Sequence, residues 1–406
     1  MKVLMINSVC GIRSTGRICT DIAEVLEANG HETKIVYGRE RVPKIFEKYS
    51  VRIGNDFDIK CNALKARFFD NEGFNAKNMT KKLIAYVDDY KPDMIHLHNL
   101  HGYYVNIELL FTYLSHTHIP IVFTMHDCWA ITGHCAYFTM EKCEKWKVEG
   151  CSKCPQKKKY PSSYVCDSSA RNWTKKKHLF SLLPNMMIVT PSKWLAKLVS
   201  TSYLQKNPIS VIPNGIDINV FRLTESDFRT KYRVKDKKIV LGVASIWDER
   251  KGLPDILKLS ELLDEKYKII IVGLTKKQIG KLPSNIIGIE QTNSIKEIAE
   301  IYTAADVFFN PTYEDNYPTT NLEARSCGTP VITYRTGGSP ESAGENAIVV
   351  EQGDLLATLS AIQMITRNQI EVSEDDRMQF SKEAMAKKYL ELYLNIGKDK
   401  YACPSS

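Results

Sequence analysis

No apolar run in the 406 residues reaches the roughly 18 to 20 needed to cross a bilayer, and the first apolar stretch, from Val3, is broken at Asn7 and ends at Gly11 and Arg13. That pattern reads as an opening strand and not as an export signal or a membrane span. Low-complexity tracts, repeats of solenoid period and long flexible linkers are missing too. With 43% hydrophobic, 25% charged and 10% aromatic residues, the chain buries too much apolar surface to be a disordered scaffold. Without an export signal, the expected location is the cytoplasm. There the eleven cysteines are kept reduced, and closely spaced sets bind metal or do chemistry more often than they form disulfides.

What is present is a repeated alternation. Apolar runs of strand length are expected at residues 3–9, 33–37, 94–97, 119–125, 187–190 and 210–212, and again at 238–244, 268–273, 286–290, 307–311, 330–334 and 347–350. Each is followed by a loop or a helix-period stretch, the pattern of parallel sheets with crossover helices. The fold class is therefore α/β. Two doubly wound, Rossmann-like domains are expected, residues 1–217 and 218–406, facing each other across a cleft. The turn Pro213-Asn214-Gly215 and the charged stretch that follows mark the boundary. The end of the chain, residues 375–394, has helical period, giving a C-terminal helix expected to pack back on the N-terminal domain.

Ligands of open α/β sheets bind beyond the carboxyl ends of the strands, so the chemistry is sought there. The loop after the first strand, Gly11-Ile12-Arg13-Ser14-Thr15-Gly16-Arg17, leads into a helix expected from about Ile18. A glycine turn at a helix start can cradle an anion, although the spacing is not that of a dinucleotide fingerprint. His126-Asp127 ends a strand, as do His96 and His98, and His126 is placed to contact a sugar or move a proton. In the second half, Arg250-Lys251 follows a strand and suits a departing diphosphate. The stretch from Tyr313 to Glu323 opens a helix at Pro318. An acid in that helix can pair both hydroxyls of a ribose, and one in the preceding loop can hold the next sugar. Asp56-Phe57-Asp58 resembles a metal-binding acid pair but has no matching context and is read as a loop.

The ordered set His126-Asp127, Pro191-Ser192-Lys193, Pro213-Asn214-Gly215-Ile216-Asp217, Arg250-Lys251-Gly252, acid-x7-Glu323, Cys327-Gly328-Thr329-Pro330-Val331-Ile332 and Gly337-Gly338-x-Pro340-Glu341 resembles glycosyltransferase family four. The resemblance runs through nearly the whole chain. It implies the GT-B fold and a retaining transfer of a hexose-type sugar from a UDP- or GDP-sugar donor without a catalytic metal. It further implies Glu323 on the ribose, Arg250 and Lys251 on the diphosphate, His126 at the donor sugar, and Gly16 where the first-domain loop approaches it. Glu314, Asp315, Asn316, Tyr317 and Thr320 complete the donor-binding set. The family's paired acids stand eight positions apart, which puts Asp315 in the first slot, while Glu314 stays open as the alternative. Where the family often carries an arginine five residues before the lysine, this chain has Ile246, and Arg250 is the candidate to replace it.

A cysteine-bearing insert is expected at about residues 128–172. Between Glu141 and Lys177 stand eleven basic residues against four acidic ones, nearly all of the net charge of +8. The spacing Cys135-x7-Cys143-x7-Cys151-x2-Cys154 suits a closed, structural zinc site. Its lysines, interleaved with Tyr160, Tyr164, Trp146 and Trp173, are expected to rest on an anionic membrane, and the acceptor to be a lipid-linked glycan of capsule, exopolysaccharide or lipopolysaccharide synthesis. The chain would then be cytoplasmic and peripheral on the inner face of the membrane, with no nucleic-acid partner. Two rivals are a GT-B sugar-nucleotide epimerase, told apart by product analysis with and without acceptor, and a zinc-bearing nucleic-acid binder, told apart by nucleotide titration against a short duplex.

Overall fold

The computed structural model describes residues 1–147, 149–365 and 372–401, the side chains of the last four excepted. The expected insert therefore lacks a description at residue 148, and the end of the expected second domain, with Cys403, lies outside the described residues. The chain forms two compact units, Met1–Pro213 joined by the segment from Lys382, and Asn214–Ser381.

The first unit is built on β1 (Lys2–Ile6), β2 (Glu32–Tyr37), β3 (Ser50–Arg52), β4 (Met94–Leu97), β5 (Ile121–Thr124), β6 (Met187–Thr190) and β7 (Ile209–Val211). The second carries β8 (Lys238–Val243), β9 (Tyr267–Val272), β10 (Ile286–Ile289), β11 (Val307–Asn310), β12 (Val331–Tyr334) and β13 (Ile348–Val350). Spatial orders are β3-β2-β1-β4-β5-β6-β7 and β10-β9-β8-β11-β12-β13. Every pairing is parallel. Both sheets start in the middle and wind outward in two directions, the doubly wound plan of a Rossmann-like domain. β4, β5, β11 and β12 are buried along their whole length because helices cover both faces, which is why they read as unbroken apolar runs.

Four local expectations need correction. β3 was not foreseen: it is a short edge strand, Ser-Val-Arg, too polar to stand out. The first helix, Arg13–Ala28, starts well before Ile18. Asp56-Phe57-Asp58 is no loop but the first turn of the helix Asp56–Phe69, where Asn55 and Asp58 form a reciprocal capping box. The expected terminal helix is two: Glu374–Met378 and Lys382–Tyr401. Between them Ser381 bridges to Ile216 in the second unit, and the last helix then packs against Arg13–Ala28 in the first. Met385, Ala386, Tyr389 and Tyr393 enter the core there beside Ile18, Ile22 and Leu26.

Candidate functional site

In the first unit, polar side chains cluster in and just after β4 and β5. His96 is fully buried, with Nε2 at 2.7 Å from Thr124 Oγ1 and Nδ1 at 2.6 Å from Tyr393 Oη. His98 Nδ1 lies 3.0 Å from His126 Nε2. Loss of water holds His96 and His98 well below the usual histidine range, and burial lowers His126 to about 4 in spite of Asp127 beside it. These imidazoles are neutral at physiological pH. His126 therefore offers hydrogen bonds and not a positive charge.

Next to it, Asp127 Oδ2 accepts from His101 Nε2 at 2.7 Å, His101 Nδ1 meets Tyr160 Oη at 2.9 Å, and Asp127 Oδ1 accepts the Trp129 N–H at 2.9 Å. The insert thus reaches back, through Tyr160, to the strand end that carries His126. Sequence reasoning missed His101, whose only signal is that it follows two histidine-bearing positions at the end of β4.

Gly16 sits inside the first helix, buried under its own loop. A Cβ there would lie 3.1 Å from Val9 Cγ2 and 3.2 Å from the Gly11 nitrogen, and its carbonyl accepts the Gly11 N–H at 3.0 Å. The glycine turn expected to cradle an anion therefore spends one of its amides internally.

The second unit concentrates the rest. After β8 the chain makes a single turn, Glu249–Lys251, capped where Asp248 Oδ1 accepts the Lys251 N–H at 3.0 Å. Gly252, at φ 74°, lets this turn press on the loop after β11, since a Cβ would stand 2.1 Å from the Pro311 carbonyl oxygen. The two loops are then laced together. The Tyr313 N–H donates to the Arg250 carbonyl at 2.8 Å, Arg250 Nη1 donates to the Glu314 carbonyl at 2.9 Å, and Lys251 Nζ forms an ion pair with Asp315. From the far side Gly337, at φ 52°, approaches so closely that a Cβ would be 1.8 Å from the Asp315 carbonyl oxygen.

Asn316 is buried and donates its N–H to Asp315 Oδ1 at 2.9 Å. Tyr317 is partly buried, and desolvation raises its phenol to about 12. The helix Thr319–Ser326 follows, its start fixed by the buried Asn321, which accepts from Asn310 and donates to Ser339 and Ser342. Thr320 lies in the first turn, half-buried. Glu323 lies one turn further on and accepts from the buried Tyr302 hydroxyl at 3.0 Å. Arg250, Lys251, Glu314, Asp315, Asn316 and Tyr317 are thus brought together at the ends of β8 and β11. Gly16 and His126 belong to the other unit. Of the two candidate acids, Glu314 is 4% exposed. The Asp315 carboxylate instead turns toward Lys251.

Ten cysteines are described, all free thiols. Cys135, Cys143, Cys151 and Cys154, expected as zinc ligands, line one small cavity together with Phe138, Trp146 and other insert residues. As the side chains stand, no group of three or more His, Cys, Asp or Glu among the described residues is arranged to hold a metal ion. Two residues of the basic stretch 141–177 cannot rest on a membrane. Trp146 is 1% exposed and packs on Phe138, and Lys176 is fully buried, its Nζ 2.8 Å from the Trp129 carbonyl oxygen, where burial lowers it to about 7.

Two doubly wound α/β units on one chain, with Arg250, Lys251 and Asp315 crowded at the strand ends of one of them, have the build of the GT-B fold. Residues 15–220 match the model of Glycosyltransferase Family 4, and residues 237–368 that of Glycosyl transferases group 1. The chain belongs to glycosyltransferase family 4, and membership selects the nucleotide-sugar transferase reading over its rivals.

Among relatives, it is 24% identical over 75% of its length to the colanic acid biosynthesis glycosyl transferase WcaC of Escherichia coli K12, covering 77% of that protein. It is also 24% identical, over 48% of its length and 57% of the relative, to the N,N'-diacetylbacillosaminyl-diphospho-undecaprenol alpha-1,3-N-acetylgalactosaminyltransferase of Campylobacter jejuni. Among solved structures, sucrose-phosphate synthase from Thermosynechococcus elongatus superposes with a TM-score of 0.70 at 16% identity, over 97% of this chain and 98% of that one. Anabaena Alr3699/HepE in complex with UDP and glucose gives 0.66 at 13%, over 97% and 100%.

Proposed function

We propose that this chain is a retaining hexosyltransferase of surface-polysaccharide synthesis, taking a UDP- or GDP-sugar as donor and a lipid-linked glycan as acceptor. The observation that carries the donor half is the lacing of the Arg250-Lys251 turn to the loop holding Asp315. It sets two cations and a carboxylate side by side at the ends of adjacent parallel strands. In this reading Arg250 and Lys251 neutralise the charge that grows on the leaving diphosphate, and Asp315, freed from Lys251, takes hydroxyls of the donor hexose. Glu323 pairs the ribose hydroxyls, with Tyr302 fixing its carboxylate. His126, kept neutral, donates or accepts a hydrogen bond at the donor sugar, and Gly16 keeps the first loop low enough to approach it. Attack comes on the face from which the diphosphate leaves, which retains the anomeric configuration. Support for the donor and acceptor classes comes from relatives. The Anabaena structure holds UDP and glucose, and the Campylobacter relative's name specifies a diphospho-undecaprenol acceptor.

The membrane half of the proposal moves from the insert's tryptophans to a face of the first unit. The helix Asp56–Phe69 exposes Phe57 (73%), Leu64 (56%), Phe68 (48%) and Phe69 (56%) at helical spacing, with Lys60, Lys65 and Arg67 exposed among them. The insert extends this face: the Tyr164 N–H bonds the Arg67 carbonyl at 2.8 Å and the Cys166 N–H that of Phe68 at 3.0 Å, which sets exposed Tyr164 and Val165 beside the helix, with Lys157, Lys158 and Lys159 nearby in sequence. Aromatic and aliphatic groups ringed by cations fit an anionic lipid surface, at about 1 kcal/mol per basic residue near it. No helix among the described residues is long and apolar enough to cross a membrane, so association would be peripheral, on the inner face of the cytoplasmic membrane.

Incubation of the protein with a panel of UDP- and GDP-sugars and polyprenyl-diphosphate glycans tests the reading. A glycosylated lipid whose new linkage keeps the donor's anomeric configuration is expected; an inverted linkage, or turnover of a sugar-nucleotide without acceptor into an isomer, would overturn it. Flotation with vesicles containing anionic lipid should recover the protein, and Phe68→Ser with Phe69→Ser should release it. Equal flotation with neutral vesicles would refute the charged face.

A further inference from the structure

The cysteine insert is the largest chemical feature that sugar transfer leaves unused. Residues 135, 143 and the pair 151 and 154 come from three loop stretches, and their side chains line one small cavity together with Phe138 and Trp146. The Cys135 and Cys154 thiols are hydrogen-bonded to each other. A backbone amide points at sulfur there: the Gly133 N–H donates to Cys151 Sγ at 3.1 Å. Gly133 is needed for this approach, since a Cβ there would come within 2.8 Å of Cys151 Cβ and 2.0 Å of the Ser169 carbonyl oxygen.

Lys176 stands behind this cavity, bonded to the carbonyl of Thr132, which lines it. Lys176 is fully buried, its ammonium held by the carbonyl oxygens of Trp129 at 2.8 Å and Thr132 at 3.1 Å with no carboxylate bonded to it. The same ammonium lies 3.4 Å from the centroid of the Trp129 ring. His134, next to Cys135, is 2% exposed, bonds Asp70 through Nδ1, and leaves its buried Nε2 without a hydrogen-bond partner.

We propose that Cys135, Cys143, Cys151 and Cys154 bind one zinc ion as a closed, tetrahedral structural site. Four thiolates around Zn²⁺ carry a charge of −2, and Lys176, bonded to the Thr132 carbonyl at the edge of the cavity, is placed to offset part of it. The four groups do not yet form an ion-holding arrangement, so metal entry turns the sulfurs inward to about 2.3 Å from the ion. The ion's place is structural: it would fix the insert that presents Tyr160 to His101, and it stands independently of the donor and acceptor assignments.

Elemental analysis of the full chain, purified without added metal or chelator, is expected to give about one zinc per chain. Cobalt exchanged into the unaltered protein should give a thiolate charge-transfer band in the near ultraviolet, a readout that requires no variant to fold. Cys135→Ser, Cys143→Ser and Cys154→Ser should each weaken metal retention by at least about tenfold. Cys166→Ser and His134→Gln should keep it. Zinc-free native protein without a cobalt band, a Cys135–Cys154 disulfide in protein prepared under reducing conditions, or full zinc retention in Cys143→Ser would each overturn the proposal.

Discussion

Lys251 and Asp315 already neutralise each other, so binding a diphosphate means replacing one partner of an existing ion pair with another. Replacing a cation aimed at a departing oxyanion costs about 10²- to 10³-fold in kcat. Lys251→Ala and Arg250→Ala are each expected to lose that much in steady-state turnover, with donor KM moved less. Glu323→Gln keeps an oxygen for the Tyr302 hydroxyl but loses the charge that binds a ribose diol. Calorimetric titration should show donor affinity falling roughly 10- to 100-fold, with thermal midpoint unchanged within about 2 °C. The histidines give a pH prediction of definite sign. His96, His98 and His126 have folded-state values below those of the unfolded chain, His126 at about 4, so between the ordinary histidine value near 6.5 and these lowered values the unfolded state binds more protons. Their contribution is complete above pH ~6.5 and is lost as pH falls below it, for His126 down to about 4. Urea midpoints measured from pH 7.5 to 4.5 should decline, and His98→Gln should flatten the decline.

At the level of elements, three glycines explain why the strand-end loops of the second unit can touch. Gly252 meets the Pro311 carbonyl, Gly337 that of Asp315, and Gly273 that of Ala244, each at a positive φ and each at a distance no Cβ tolerates. Gly337→Ala is expected to push the Asp315 loop outward and to reduce donor affinity more than about tenfold, while a glycine that meets nothing, Gly30→Ala, should cost donor binding nothing; thermal-shift titration with UDP separates the two. Elements buried on both faces were legible in the sequence because they form unbroken apolar runs, as in Val307–Asn310. Ser50–Arg52 was not, because an edge strand takes its register from β2 and buries little of its own. The helix Asp56–Phe69 hid for a related reason: its outer face is apolar and exposed, so it lacks the polar–apolar alternation that marks a surface helix. At the site, residue types were legible from motif order. Their pairing was not: that Arg250 holds a backbone carbonyl while Lys251 holds Asp315 depends on how two loops distant in sequence meet.

At the scale of the molecule, the chain leaves the first unit at Pro213 and returns to it at Lys382. The returning helix is no appendage. Tyr393 is fully buried with its hydroxyl 2.6 Å from His96 Nδ1, and Tyr389 reaches Thr124 Oγ1 at 3.0 Å, so the helix closes one face of the sheet beneath the His98–His126 contact. Removing it would expose the apolar surface around Ile18, Ile22 and Leu26 and take from His96 Nδ1 its hydroxyl partner. Burying a Tyr or Met side chain contributes roughly 1.5–3 kcal/mol, so losing Met385, Tyr389 and Tyr393 together removes an amount comparable to the whole stability of a typical domain. A polypeptide of residues 1–213 is therefore expected to be insoluble or molten, whereas residues 214–381, whose core draws on no residue of the last helix, should unfold cooperatively by itself. Adding residues 382–401 back to the first fragment through a short flexible linker should restore a cooperative transition. A cooperative melt from residues 1–213 alone would show that the returning helix closes a core already able to stand without it.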